Sequence, residues 1–224
     1  MATSQDHAAG NAEPAESAPA AEGPADRKRR AILDAASVVF LREGYAGASM
    51  DEITALAGAS KATVYRYFTD KQTLFSELVV TTVTAVSDPV QAEVLRLGDS
   101  GGLEAGLRDL ARRLLTAITA PELLGLRRLI IGEAGRFPAL GQAFYEQGPA
   151  RTISALAGML TRLAGEGLLK IDDPLAAAGQ LNWLIAAEPL NRAMLLGDNQ
   201  PFTPAELTAH ADAAVTAFLA AYRS

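Results

Sequence analysis

No cysteine occurs in the 224 residues. Disulfides, thiol nucleophiles and zinc–thiolate sites are excluded together, as fits a reducing compartment. Histidine is almost as scarce: only His7 and His210 are present, too few for a histidine-based triad or a histidine-rich metal site. No glycine-rich phosphate loop follows a strand-like segment, and the adjacent carboxylates Asp172 and Asp173 stand before Pro174, where helix capping accounts for them. No catalytic residue, metal ligand or cofactor is therefore assigned, and no enzymatic activity is expected. No apolar run is long enough to span a bilayer, and the N-terminus lacks the basic-then-apolar order of a signal peptide. A cytoplasmic protein with no membrane partner is expected. Sustained alternation at the strand period is missing as well, so the expected fold class is all-α.

What is present is 49% hydrophobic and 21% charged, enough to bury one sizeable core and a small satellite domain. Three parts are expected. Residues 1–25, rich in Ala, Pro, Glu and Gly, have no aromatic or β-branched apolar residue with which to offset the entropy of ordering, and read as a disordered tail. Residues 26–72 read as a small helical domain, and residues 73–224 as a larger helical bundle. The net charge of −6 is unevenly spread. The first 26 residues carry −5, residues 27–71 hold eight Lys/Arg against five Asp/Glu for +3, and the remainder is −4. Phosphate contact is local and screened beyond about 8–10 Å, so a locally basic domain suffices for a polyanionic partner.

Residues 49–71 carry most of the functional information. Ser49 is placed to cap a helix with Asp51 and Glu52 in its first turn, where carboxylates complement free N–H groups. Ile53, Leu56 and Ala57 are its apolar positions, and Gly58 supplies the left-handed residue of a sharp turn. Ser60 then caps a second helix, in which Val64 and Phe68 share a face and turn inward on Ile53 and Ala57. Lys61, Ala62, Thr63, Tyr65 and Tyr67 are left outward. Short, hydroxyl, aromatic and cationic side chains on one face suit a helix entering a major groove.

The run from Gly58 through Phe68 followed by Asp70-Lys71, preceded by Ile32-Leu33-Asp34-Ala35-Ala36, Phe40 and Glu43-Gly44-Tyr45, resembles the DNA-binding domain of the TetR family of bacterial repressors. The resemblance implies DNA contacts at Ser49, Ser60, Lys61, Thr63, Tyr65, Tyr67 and Lys71. Ala62 stands where the family often has Gly, so a methyl sets how closely that backbone approaches the groove. Ahead of this domain, Arg27-Lys28-Arg29-Arg30 read as an arm on phosphates or in a minor groove, against the plainer reading of a solvated helix start.

Proline and glycine breaks divide the remainder into helices over about 70–97 (bent near Pro89), 103–119, 122–136, 139–147, 150–166, 174–197 and 204–222. The stretch from Arg127 through Glu133–Pro138 to Ala143–Glu146 and Gly148–Arg151 resembles the regulatory half of AefR-like members. The resemblance implies a homodimer through the last two helices, reading a palindromic operator. Leu207, Ala211, Ala214, Val215, Phe218, Leu219 and Tyr222 form one apolar stripe there, and Leu181, Leu184, Ile185, Met194 and Leu195 another, part of each serving burial within the subunit. A small apolar or amphipathic effector is expected in a pocket drawn from Phe137, Phe144, Tyr145, Met159 and Trp183, with Asn182 and Glu188 as polar anchors, although core packing explains each large side chain as well. Pro189 removes one backbone donor and frees a carbonyl near Ile185. The function expected is a ligand-responsive repressor; the alternative is a DNA-independent helical module that binds a ligand or a protein.

Overall fold

The computed structural model describes residues 23–96, 102–197 and 202–223. Nearly all of the tail expected to be disordered, and the breaks expected near Gly98 and Pro201, lie outside them. Among the described residues the chain is helical throughout. Its ten α-helices are α1 Pro24–Gly47, α2 Met50–Leu56, α3 Lys61–Tyr67, α4 Lys71–Arg96, α5 Leu103–Ile118, α6 Pro121–Glu133, α7 Pro138–Tyr145, α8 Arg151–Gly165, α9 Pro174–Leu196 and α10 Pro204–Tyr222. The one extended pairing there is an isolated bridge between Leu169 and Arg223.

The helix starts follow their local chemistry. The Ser49 side chain accepts from the Asp51 amide and that of Ser60 from the Thr63 amide, each at 3.2 Å. Asp173 accepts from the amides of Leu175 and Ala176 at 3.0 Å. Thr203 and Glu206 form a reciprocal capping box. Pro24 sits in the first turn of α1 and moves that start upstream, so Arg27–Arg30 lie inside the helix and not on a free arm. A π-helical turn, Glu146–Ala150, absorbs the break expected at Gly148-Pro149 and joins α7 to α8 without a loop.

Two large cores result. One packs α5, α8, α9 and α10 around Leu110, Leu114, Leu156, Leu160, Ile185 and Phe218. The other joins Ile32, Phe40, Ile53, Val64 and Phe68 to Leu74 and Phe75 of α4, Leu126 and Ile130 of α6, and Leu140 of α7. Packing therefore runs straight across the boundary expected at residues 72/73. Within α2 the buried partner of Ile53 is Thr54, while Leu56 is 53% exposed, because α2 packs along a different stripe from the one its apolar residues suggest. The α10 stripe of Ala211, Ala214, Val215, Phe218 and Leu219 faces its own bundle; Ala209, Ala213, Ala217 and Ala220 form the outer face. Arg112 clamps α5 to α10 with a bidentate pair to Asp212 at 2.8 and 2.7 Å. Beneath Pro189, the Ile185 carbonyl receives His210 Nε2 at 3.1 Å.

Gly58 turns α2 into α3 at φ +59°, and a Cβ placed there meets nothing within 4 Å. The penalty for a side chain is thus purely backbone. Gly58→Ala should lower unfolding free energy by about 1–2 kcal/mol, and Gly58→Asn, which tolerates the left-handed region, should recover part of it in denaturant melts.

Candidate DNA-reading surface and effector cavity

Both serine caps leave their hydroxyls at the solvent edge of the helix-turn-helix, with Ser60 Oγ 2.8 Å from Thr63 Oγ1. Ser49, Ser60, Lys61, Ala62 and Tyr65 are exposed and Thr63 and Tyr67 half-buried, so the outward face expected of α3 is the face observed. Lys61 is held by Asp51 of α2, with Nζ 2.8 Å from its carboxylate; that hydrogen bond, then the charge, raises the ammonium pKa. Pairing draws Lys61 back along the surface. Arg66, which the sequence reading passed over, is exposed on the same helix with its guanidinium 5.3 Å from the Tyr67 ring centroid. The Tyr67 hydroxyl donates to Ala25 O at 3.3 Å, joining α3 to the first turn of α1. In the basic run, Arg29 pairs with Glu77 of α4, and Lys28 is exposed.

Lys71, expected at a phosphate, is engaged here by backbone carbonyls. Helical geometry in α1 breaks at Gly44 (φ +71°), and the carbonyls beyond the break converge on the start of α4. Lys71 Nζ donates to Tyr45 O at 2.8 Å, Ala46 O at 3.2 Å and Ala48 O at 2.9 Å, using all three of its protons, and sits 4.9 Å from the Tyr45 ring centroid. It orients the turn ahead of α2. The Tyr45 ring in turn meets Phe75 at 5.0 Å and Phe137, at the α6–α7 turn, at 4.7 Å. Burial, followed by the charge of Asp70, pushes the Tyr45 phenol pKa upward.

A cavity of about 50 Å³ lies between α4, the π-turn and α9. Val83, Val86 and Ser87 of α4 line one side, with Leu114, Ile118 and Leu123 across from them. Phe144, Asn182 and Trp183 line it as expected, Trp183 at the mouth with 49% of its surface exposed. The other expected pocket residues are placed differently. Phe137 packs on Tyr45. Met159 is buried in the α5–α8–α9–α10 core. Tyr145 and Glu188 point to solvent, because residues one step from an inward position on a helix turn outward. Arg127 of α6 is a lining residue that the sequence reading missed. A separate open cleft of about 590 Å³ runs between α1, α4 and α6, with Val86 in its wall too.

A helix-turn-helix with an outward second helix, on an all-helical chain with a walled cavity, defines a DNA-binding transcriptional regulator. Residues 32–78 match the family model of bacterial regulatory proteins, tetR family, and residues 105–224 match that of the AefR-like transcriptional repressor C-terminal domain. The chain belongs to the TetR family. Similar solved structures include a TetR-family regulator from Mesorhizobium loti MAFF303099, 45% identical over 91% of this chain and 100% of that one, with a TM-score of 0.84. The flavonoid-responsive regulator FrrA is 35% identical over 88% and 97%, with a TM-score of 0.72. Among curated relatives, the transcriptional activator FasR of Mycolicibacterium smegmatis is 46% identical over 23% of this chain and 24% of its own length. The repressor NicS of Pseudomonas putida is 38% identical over 38% and 39%. These curated matches thus span well under half of the relatives.

With its protons spent on carbonyls, Lys71→Met should lower stability by about 1–3 kcal/mol, the range for hydrogen bonds to a charged group. Operator affinity should fall with the misplaced α2–α3 unit while the slope of log K against log salt stays at the wild-type value. A slope smaller by about one would return Lys71 to a phosphate.

Proposed function

We propose that the protein is a cytoplasmic homodimeric repressor that binds a palindromic operator through paired α3 helices and is released by a small apolar or amphipathic effector in the α4–α6–α9 cavity. The observation carrying this reading is the course of α4. At its first residue it holds the Lys71 lock on the turn before the helix-turn-helix, and three to four turns later it forms the cavity wall with Val83, Val86 and Ser87. A ligand that displaces this wall tilts the element that carries the reading head. Such coupling requires only that the ligand prefer one of two α4 positions. The cavity is small against the ~300 Å³ of ordinary ligand sites, so effector entry expands it, with the half-exposed Trp183 as the movable wall. The flavonoid response of the similar regulator FrrA supports a planar aromatic effector here.

In this reading Ser49, Ser60, Lys61, Ala62, Thr63 and Tyr65 meet DNA, joined by Arg66, with Lys61 exchanging Asp51 for a phosphate. Lys28, with Arg27 beside it, meets the flanking backbone, while Arg29 and Lys71 position the domain. Dimerisation uses the outer faces of α9 and α10, where Leu184, Leu195 and the alanines of α10 are exposed. Two copies of such a face form a closed two-fold four-helix contact and set the spacing of the half-sites.

The test is a mobility shift on the DNA upstream of the coding region, with light scattering on the free protein. Ala213→Arg combined with Ala217→Glu should yield a folded monomer whose affinity for the palindrome falls by about 100-fold or more. A variant still dimeric would move the interface to another face. A compound that releases DNA should also shift the emission of Trp183, and Trp183→Leu should blunt that compound's effect while affinity for operator without effector stays within about threefold, under 1 kcal/mol.

A further inference from the structure

One charged side chain in the cavity wall has no counter-ion among the described residues. Arg127 stands among Leu123, Leu114 and Leu190, with its guanidinium 5.1 Å from the Phe144 ring centroid and its Nε buried without a hydrogen-bond partner. Two acids on the elements around the cavity are engaged elsewhere: Asp88 of α4 pairs with Arg151 at 2.9 Å, and Glu146 of the π-turn accepts from Gln142 at 2.8 Å. Burial lowers the pKa of Arg127 from its ordinary value, yet a guanidinium stays charged near neutrality. A cation facing apolar walls with an idle donor destabilises the empty fold, and only an acceptor brought in from outside relieves it. Across the cavity, Asn182 is 7% exposed and its side chain has no partner among the described residues. A second polar anchor therefore faces the same space.

We infer that the effector is an organic carboxylate on a compact aromatic body, its anion held by Arg127, its ring beside Phe144 and Trp183, and a hydroxyl or carbonyl substituent met by Asn182. This rests on the effector-responsive reading above and narrows it to a ligand class. A carboxylate presents two acceptor oxygens to the guanidinium fork, whereas the leucine and valine walls offer nothing to the remaining hydration shell of a free inorganic anion. Replacing Phe144 as the neighbour of Arg127 also gives the anion a mechanical handle, since Phe144 belongs to α7, whose leading residue Phe137 packs on Tyr45.

The probes are cinnamate, 4-hydroxycinnamate and 1-naphthoate, each beside its neutral primary alcohol, titrated into the full chain by calorimetry and by Trp183 emission in the absence of DNA. The acids should bind roughly 10- to 100-fold tighter than the alcohols, the span expected of a hydrogen bond to a charged group. Arg127→Met should erase that preference while the melting temperature of the empty protein stays level or rises and operator affinity is retained. Arg127→Lys should keep a reduced preference for acids. Alcohols binding as tightly as acids, an acid preference that survives in Arg127→Met, or no binding by either series would overturn the assignment. The two readings fail separately. Acid preference with no operator binding would uphold the carboxylate site and remove the regulator, whereas operator release by the alcohols alone would uphold the regulator and remove the carboxylate.

Discussion

Backbone carbonyls freed where a helix breaks must find donors, and in this chain the break at Gly44 leaves three of them pointing at a single lysine ammonium. Lys71 satisfies them while resting on the face of Tyr45, and Tyr45 lies against Phe40, Phe75 and Phe137. The direction in which α2 and α3 leave the domain is set by this one knot of charge-assisted hydrogen bonds and ring packing. Because Phe137 belongs to the turn between α6 and α7, the same knot binds the reading head to the cavity-bearing half. The absence of a gap in the packing between residues 72 and 73 follows directly.

The cavity-bearing half is organised around a different compromise. Gly148 approaches Val83 so closely that an added Cβ would sit 3.0 Å from its side chain, and the π-turn around Pro149 lets α7 run into α8 while keeping that approach. Gly125 plays the corresponding part where α6 lies on Leu41 of α1, with 3.1 Å for an added Cβ. Close approach at Gly148 beside α4 and at Gly125 between α6 and α1 leaves little slack, so a displacement at the cavity passes along helices in preference to being absorbed by side chains.

What the sequence disclosed was chiefly local. Caps at Ser49, Ser60, Asp173 and Thr203 and the turn at Gly58 depend on residues a few positions apart, and each was readable from such spacing. The carbonyl released by Pro189 was readable too, though its partner His210 comes from another helix. Residues assigned to the pocket by size fared less well. Phe144 and Trp183 line it, but Phe137 and Met159 belong to the two large cores, since bulk and apolarity suit a core and a pocket equally. The carbonyl contacts of Lys71 were not readable from its position, because a break at Gly44, distant in sequence, decides which acceptors surround it. Arg127 gave no sign of lining the pocket: an arginine beside Arg128 on a helix reads as solvated until the neighbouring helices are in place.

The partly buried guanidinium of Arg127, with its Nε unpartnered, has a consequence for the lifetime of the protein. Unfolding returns that charge to water and recovers hydration that the empty native state lacks, so the unliganded chain visits open states more often than its packing alone dictates. Any occupant that satisfies the charge raises stability in proportion to the logarithm of its concentration above its dissociation constant. Proteolysis of the transiently opened chain follows the population of open states. If the cavity takes the proposed carboxylate, degradation rate becomes a second readout of occupancy: the copy number of the regulator would rise with the compound that releases it from DNA, and fall again when that compound is exhausted.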